Sequence, residues 1–482
     1  MALSSVRRTS LCKFASPVLG SSTPKFLKDV DHFLKHKGVE WLVDRMKAVY
    51  QAALQAKAGH PDKALSILKE NRISSRKDFP GIPKGPMGLA ALAFVKAERP
   101  IVLRRSMALL RAYTGLYCSK ATHRQVAKAY ASITDPGRET VPDGKFPRSE
   151  SWRWNLECAP SKKMRTYCER LQLEKLSGTS SFYAGRFKVP SHLRSLPHAS
   201  AALSSLVCGK VPRSVINIVG ESRLRSEAED FQKHSNWDGY GKITVLQEGG
   251  AKARVIACPS FWVQAYFLPL HQILSSMLTA VESENSSRRG ISCVLDQNRG
   301  AFFLKDCLDK GKEIYSFDLS SATDRFPRSL QTRFLVANGL KDWAKPIDEV
   351  SQGPFWFSEK HTFVQYSVGQ PMGLYGSFPL FHLTHYRLLE DCAKQAGATR
   401  NSFAVLGDDV LIQNRDVAMR YQDAIEKLGI SISRAKSYES CDLQTFAGFL
   451  GIHTNHGCTV FRPFKHGPDF CINGKEVSLL HS

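Results

Sequence analysis

The stretch Phe403-Ala404-Val405-Leu406-Gly407-Asp408-Asp409-Val410-Leu411-Ile412 holds two short apolar runs joined by a glycine and two adjacent aspartates. The pattern predicts strands over 403–406 and 410–412 that meet at a tight turn. Adjacent carboxylates at a hairpin tip repel each other unless water screens them or a cation sits between them. Taken alone, the motif also describes an ordinary turn, so it needs a partner. Glu313 to Phe317 reads as a second short strand, followed directly by Asp318. If the two strands lie side by side, Asp318 and Asp408 converge on a spot suited to two divalent ions about 4 Å apart. Hard carboxylate oxygens favour Mg2+ or Mn2+. By itself, Asp318 would serve equally well as the N-cap of the following Leu319-Ser320-Ser321 turn.

Three more segments fit around that pair. In Gln247-Glu248-Gly249-Gly250-Ala251-Lys252-Ala253-Arg254, Lys252 and Arg254 alternate on an extended run, which puts both cations on one face where a triphosphate would suit them. Gly369-Gln370-Pro371-Met372-Gly373-Leu374-Tyr375-Gly376-Ser377 is a glycine-rich loop leading into an uncharged helix that begins at Phe378. Val417 to Leu428 is an amphipathic helix stopped by Gly429, Ile430 to Ser433 reads as a further strand, and Lys436 follows as a candidate proton donor.

The rest of the chain differs in charge. Residues 1–250 hold 42 basic and 21 acidic side chains, a net +21, whereas 251–482 hold 25 and 23, a net +2. The first half calls for a polyanion. In 482 residues with 43% apolar side chains there is material for a large core, and the 12 cysteines, with no Cys-x-x-Cys, read as reduced thiols. His453, His456, Cys458 and Cys471 lack finger-like spacing and read as loop and packing residues. Ile256 to Val281 is uncharged, but its Gln264, Pro269, His271 and Gln272 favour a buried helix, so no membrane span is expected. Helices are expected over 29–58 and over 86–132 with a break near Pro100, and loops between 134 and 200. The first 28 residues contain Arg7, Arg8, Lys13, Lys25, Lys28, six serines and no acid, which suits either a mitochondrial presequence or a basic arm.

In this order the motifs resemble the palm of a viral RNA-dependent RNA polymerase, and the wording is most similar to the mitovirus group. The residues that carry this are the run Asp318 to Pro327, Gly369 to Gly373, Leu383-Thr384-His385, Leu406 to Asp409 and Lys436-Ser437. The resemblance spans about 240–450. It implies an α+β fold of fingers, palm and thumb, with a small antiparallel palm sheet flanked by helices. The expected division is a leader at 1–28, a basic region and fingers at 29–240, the polymerase core at 241–445 and a short thumb at 446–482.

The resemblance also implies roles. Asp318, Asp408 and Asp409 become metal ligands for two Mg2+ or Mn2+ ions, Asp324 the sugar sensor, Lys252 and Arg254 the triphosphate clamp, and Lys436 the general acid. The Gly373 to Ser377 loop would support template and ribose, with Thr384 a further candidate near the nucleotide. Polymerases of this kind often carry an asparagine on the helix after that loop; here His382, Thr384 and His385 stand instead. Phe446-Ala447-Gly448-Phe449 sits where a primer-gripping hairpin is expected. The implied partners are RNA template and product and nucleoside triphosphates, in mitochondria or the cytoplasm. Two rivals are an integrated remnant that only binds RNA and a reverse transcriptase. The intact Asp318, Asp408, Asp409, Lys252, Arg254 and Lys436 count against the first.

Overall fold

The computed structural model describes residues 5–137, 240–259, 261–284, 288–433 and 437–467. The expected loops at 138–200 and the candidate Lys436 and Cys471 lie outside these. The first part is helical: α1 (Ser5–Leu19), α2 (Thr23–His36), α3 (Val39–Lys57), α4 (Pro61–Glu70), α5 (Pro86–Lys96), α6 (Pro100–Leu110) and α7 (His123–Thr134). Pro61, Pro86 and Pro100 each open a helix, where the missing N–H costs nothing. The helix expected over 29–58 is two helices, because Gly38 takes φ +84 between α2 and α3. A reciprocal capping box between Thr122 and Gln125 starts α7.

The division drawn after residue 28 falls inside α2. Leu11, Ala15 and Leu19 of α1 and Phe26, Leu27 and Val30 of α2 share one core with α3, α5 and α6. Over its described residues, then, the expected leader is built into the helical unit. No helix among the described residues is long and apolar enough to cross a membrane.

After the helical part, β1 (Gly241–Glu248) and β2 (Lys252–Pro259) form an antiparallel pair, followed by α8 (Phe261–Ser283), β3 (Gly290–Ser292), α9 (Gln297–Asp309) and β4 (Ile314–Asp318). Then come α10 (Ala322–Arg325), α11 (Arg328–Ala337), α12 (Lys341–Gln352), β5 (Phe355–Phe357), β6 (Thr362–Val364), α13 (Ser377–Gln395), β7 (Phe403–Leu406), β8 (Asp409–Ile412) and α14 (Arg415–Lys427). Last are β9 (Tyr438–Ser440), β10 (Leu443–Phe446), β11 (Phe449–Thr454) and β12 (Gly457–Phe461). The protein is α+β. Three sheets run β2-β1-β5-β6, β3-β7-β8-β4-β9 and β10-β11-β12.

The five-stranded sheet is mixed, because β3 runs parallel to β7 while the other pairs are antiparallel; an all-antiparallel sheet was the expectation. The strand expected over 430–433 is reduced to one isolated bridge, Leu319 to Ile432, and β9 takes the edge beside β4. Side chains alternate across the sheet. Tyr315, Phe403, Val405, Val410 and Ile412 face a core shared with α8, α13 and α14. Ile314, Ala404 and Leu411 face Phe303, Leu304 and Leu308 of α9. Helix α13 is buried on nearly every side, which is why its sequence shows so little polarity pattern.

The boundary drawn at 445 falls inside β10. Leu450, Ile452 and Phe461 of the last sheet pack into the core of the N-terminal helices. Phe446 to Phe449 is indeed a hairpin turn, with Ala447 and Gly448 both at positive φ.

Candidate active site

Asp318 ends β4 and Asp409 opens β8, and the register places these two residues directly opposite each other. Direct partners share a face of the sheet, so both carboxylates lie on the α9 side. Asp408 sits at the exposed tip, one residue before Asp409. The register thus sets Asp318 opposite Asp409, one residue past the Asp408 with which it is expected to converge. Gly407 has φ +61 and Asp408 does not share the positive φ, as in hairpin turns whose first central residue is glycine.

The far end of Asp318 is braced by the chain after α14. Ser437 Oγ accepts from the Asp318 N–H at 3.3 Å, and the Asp318 carbonyl accepts from Ser433 N–H at 2.9 Å. Among the described residues, no group of three or more His, Cys, Asp and Glu side chains gathers closely enough to enclose a cation. Asp318 and Asp409 pair in register and Asp408 precedes Asp409 at the tip, so the carboxylates nearest this turn offer oxygen donors only. That suits a hard divalent ion whose remaining ligands come from solvent or a phosphate, and does not suit zinc.

Asp324 lies on α10, just after Ser321 at φ +50, and is 6% exposed. Its Oδ2 accepts from Ser132 Oγ of α7 at 2.8 Å, while its Oδ1 is buried with no partner among the described residues. Burial pushes its carboxyl up to about 6, opposed by the Ser132 hydrogen bond and the Arg325 charge. The hydroxyl of Tyr366, also buried and unpartnered, is raised in pKa by burial, with Asp324 close enough to add to the shift. The glycine-rich loop is tied to this turn. Gly369 N–H donates to Asp324 O at 2.9 Å and Gln370 N–H to Thr323 O at 3.1 Å, and a Cβ on Gly369 would meet Thr323 O at 2.2 Å.

Lys252 and Arg254 lie on one face of β2, as the alternation implied, and both turn to Glu248. Arg254 Nε donates to Glu248 Oε1 at 2.9 Å, and Lys252 Nζ is 4.0 Å from Oε2. Burial alone would raise Glu248; the hydrogen bond and charge of Arg254, with Lys252 and Lys465, hold it below its ordinary value. Arg254 also reaches Met372 Sδ at 3.9 Å, which joins β2 to the glycine-rich loop. Gly373 is exposed at φ +115, and a Cβ there would strike Ala257 O at 2.2 Å.

Two expectations are corrected. Thr384 is 0% exposed and its hydroxyl donates to Leu380 O at 2.8 Å, so it faces the core of α13 rather than a nucleotide. Ser377 is 3% exposed at the buried start of the same helix, where its carbonyl accepts from Gln370 Nε2 at 3.0 Å. His382 and His385 do not approach Asp324 by any hydrogen bond among the described residues; they bond to Gly407 instead. The residues that sequence reasoning missed are Ser132 and Tyr366. Nothing local marks Ser132, which lies on an ordinary amphipathic helix 192 positions from its partner. Elsewhere, His453 Nδ1 sits 3.2 Å from Leu308 O and Cys458 lies on β12, both as packing residues.

Residues 186–453 match the family described as mitovirus RNA-dependent RNA polymerase. A stretch of 256 residues is 30% identical to the RNA-directed RNA polymerase of Cryphonectria parasitica mitovirus 1, covering 47% of this chain and 30% of that protein. Another of 143 residues is 39% identical to an uncharacterised mitochondrial protein of Arabidopsis thaliana, covering 27% of this chain and 69% of that one. The match thus spans less than a third of the viral relative's length. In fold, the chain is similar to the RNA polymerase complex solved in situ inside a double-stranded RNA virus, with TM-score 0.51 at 12% identity over 91% of this chain and 43% of that one. An RNA-dependent RNA polymerase captured at its elongation state gives TM-score 0.51 at 10% identity, over 88% of this chain and 42% of that one. With its family match covering more than half of the 482 residues, the chain belongs to the mitovirus RNA-dependent RNA polymerases.

Proposed function

We propose that this chain carries out template-directed RNA synthesis, copying the RNA of a small positive-strand genome, and that the β3-β7-β8-β4-β9 sheet is its palm. The observation that carries the proposal is the register pairing of Asp318 with Asp409, next to Asp408 on a glycine turn. These three carboxylates would hold two Mg2+ or Mn2+ ions. When bound, such ions supply charge neutralisation and orientation for the product 3′-oxygen and the leaving pyrophosphate.

The chain's own residues do the rest. Lys252 and Arg254 bind the triphosphate by exchanging Glu248 for phosphate oxygens, which keeps the pair from standing unpaired before the nucleotide arrives. Asp324 accepts from the ribose 2′-hydroxyl through its unpartnered Oδ1, and Ser132 fixes the other oxygen. Lys436 delivers the proton to pyrophosphate; in support, its neighbour Ser437 touches the Asp318 amide at 3.3 Å. Gly373, exposed and forbidding a side chain, supports the template strand. We place the activity in mitochondria, on the strength of the mitovirus and Arabidopsis mitochondrial relatives.

The test is incorporation of labelled ribonucleotide on an RNA template with Mg2+. Wild type should extend, while Asp408→Ala and Asp318→Asn should not, with RNA binding retained. Binding without incorporation by wild type would favour the RNA-binding remnant, and DNA synthesis on the same template would favour the reverse transcriptase.

A further inference from the structure

Gly407, the residue before the two turn aspartates, has both of its peptide groups held by buried rings. Its N–H donates to His382 Nδ1 at 3.0 Å, and its carbonyl lies 2.8 Å from His385 Nδ1. The two histidines stand three residues apart on α13, on one helix face, and both are fully buried. Each ring continues to a further partner. His382 Nε2 lies 2.8 Å from Ser292 Oγ, and that hydroxyl donates to Glu282 Oε1 at 2.8 Å. His385 Nε2 lies 2.8 Å from the Tyr421 hydroxyl.

The chemistry of Gly407 fixes the protonation of both Nδ1 atoms. An amide N–H can only donate, so His382 Nδ1 accepts and its proton sits on Nε2, pointing to Ser292. A carbonyl can only accept, so His385 Nδ1 carries a proton, and burial, which lowers its pKa to about 4, leaves the ring neutral so that Nε2 accepts from Tyr421. Both imidazoles are therefore neutral and of opposite tautomer. Rings that merely filled space under the turn would need neither the polarity nor this order.

We propose that His382 and His385 are positioning residues that clamp the two peptide groups of Gly407 and thereby aim the carboxylates of Asp408 and Asp409 at the site shared with Asp318. Gly407, at φ +61, is the turn residue between β7 and these aspartates, and fixing its N–H and its carbonyl separately holds both of its soft rotations. Glu282 anchors the first chain firmly, since it also accepts from the N–H groups of Val294 at 2.6 Å and Leu295 at 3.1 Å. The inference rests on the polymerase reading only for what the aspartates do, not for how they are held.

The test compares two substitutions at each histidine in the full chain. An asparagine amide reaches about as far as Nδ1 and can still meet Gly407; a glutamine amide reaches about as far as Nε2 and serves only the distant partner. His382→Gln and His385→Gln should lower kcat and weaken Mn2+ binding, read by electron paramagnetic resonance without RNA, by roughly 10- to 100-fold, as loss of groups behind metal ligands commonly does. The KM for nucleotide and the affinity for RNA should stay unchanged. His382→Asn and His385→Asn should restore most of the loss. Selectively labelled wild type should give opposite tautomers for the two rings by 15N NMR. Equal damage by Asn and Gln in step with a fall in Tm, or identical tautomers, would overturn the clamp. If wild type incorporates no nucleotide, the polymerase reading falls while the Mn2+ comparison and the tautomers still decide the clamp.

Discussion

Asp324 keeps one carboxylate oxygen buried with no partner among the described residues, and at this residue chemistry and stability pull in opposite directions. Its carboxyl is pushed up to about 6 by burial. Folded, it therefore holds a proton over a pH window in which the unfolded chain has already lost it. Stability is greatest below the unfolded carboxylate value and falls as pH rises through about 6. Asp324→Asn should make the protein more stable at neutral pH, by roughly 1–3 kcal/mol in urea unfolding, because the cost of a buried charge disappears. The same substitution should cost sugar selectivity. An ionised carboxylate accepts from a 2′-hydroxyl, so competition between ribo- and deoxynucleotides on one template should become less selective as wild type is taken down through pH 6, and stay flat with pH in Asp324→Asn. A pH-independent preference in wild type would remove Asp324 from sugar recognition. The aspartates were legible because each sits inside a short contiguous motif at the end of an apolar run. Ser132 was not, since it reaches Asp324 only through tertiary packing of α7 against the turn.

Among the elements, α1 and α13 show where pattern reading succeeds and where it stops. The start of helix α13, Phe378 to Tyr386, reads as an uncharged run from the sequence, and α13 is indeed a largely buried helix. An uncharged run does not say which polar side chains face which partner, so Thr384 was assigned to a nucleotide while its hydroxyl is spent on its own helix. The helix over 29–58 broke at Gly38 because apolar spacing continues across a single glycine that the backbone uses as a corner. Strand β3 is three residues long, too short for any period to register, and with it went the parallel edge of the sheet.

In α1, composition suggested a leader, whereas Leu11 and Ala15 are buried at 1% and 0% exposure in the helical core. Leu11→Ala should therefore destabilise the protein by about 2–5 kcal/mol, the usual cost of a cavity at a fully buried leucine, whereas exposed Lys13→Ala should stay within about 0.5 kcal/mol. Equal, negligible effects in thermal melts would mean that α1 is dispensable to the fold. A reporter carrying only residues 1–28 tests import separately; delivery to mitochondria that Arg7→Glu with Arg8→Glu abolishes would support the leader reading for the segment outside its folded context.

At the scale of the whole molecule, the basic N-terminal helices of residues 5–134 and the nearly neutral sheet-bearing part meet at the candidate nucleotide site. Lys47 Nζ donates to Gly250 O at 2.7 Å, Gln125 Nε2 to Ala251 O at 2.7 Å, and Gly250 N–H to Leu116 O at 2.8 Å, so the turn before Lys252 and Arg254 rests on the N-terminal helices. Ser132 braces Asp324 from the same side. The described N-terminal helices, residues 5–137, hold 24 basic and 9 acidic side chains, a net +15, and they stand behind the groups proposed to hold the nucleotide, where a strand of phosphates is expected to pass. Binding of single-stranded RNA should then be tolerant of sequence and steeply weakened by salt, because each neutralised phosphate releases counterions and adds roughly −0.7 to the slope of log affinity against log salt. A total slope steeper than about −3, equivalent to more than about four contacts by that rule, is the expected result, and Asp408→Ala should share it, since that residue serves the reaction and not the backbone grip. A slope near −1, only one or two phosphates by the same rule, would mean that the basic surface faces another partner and that the strand enters from the neutral half.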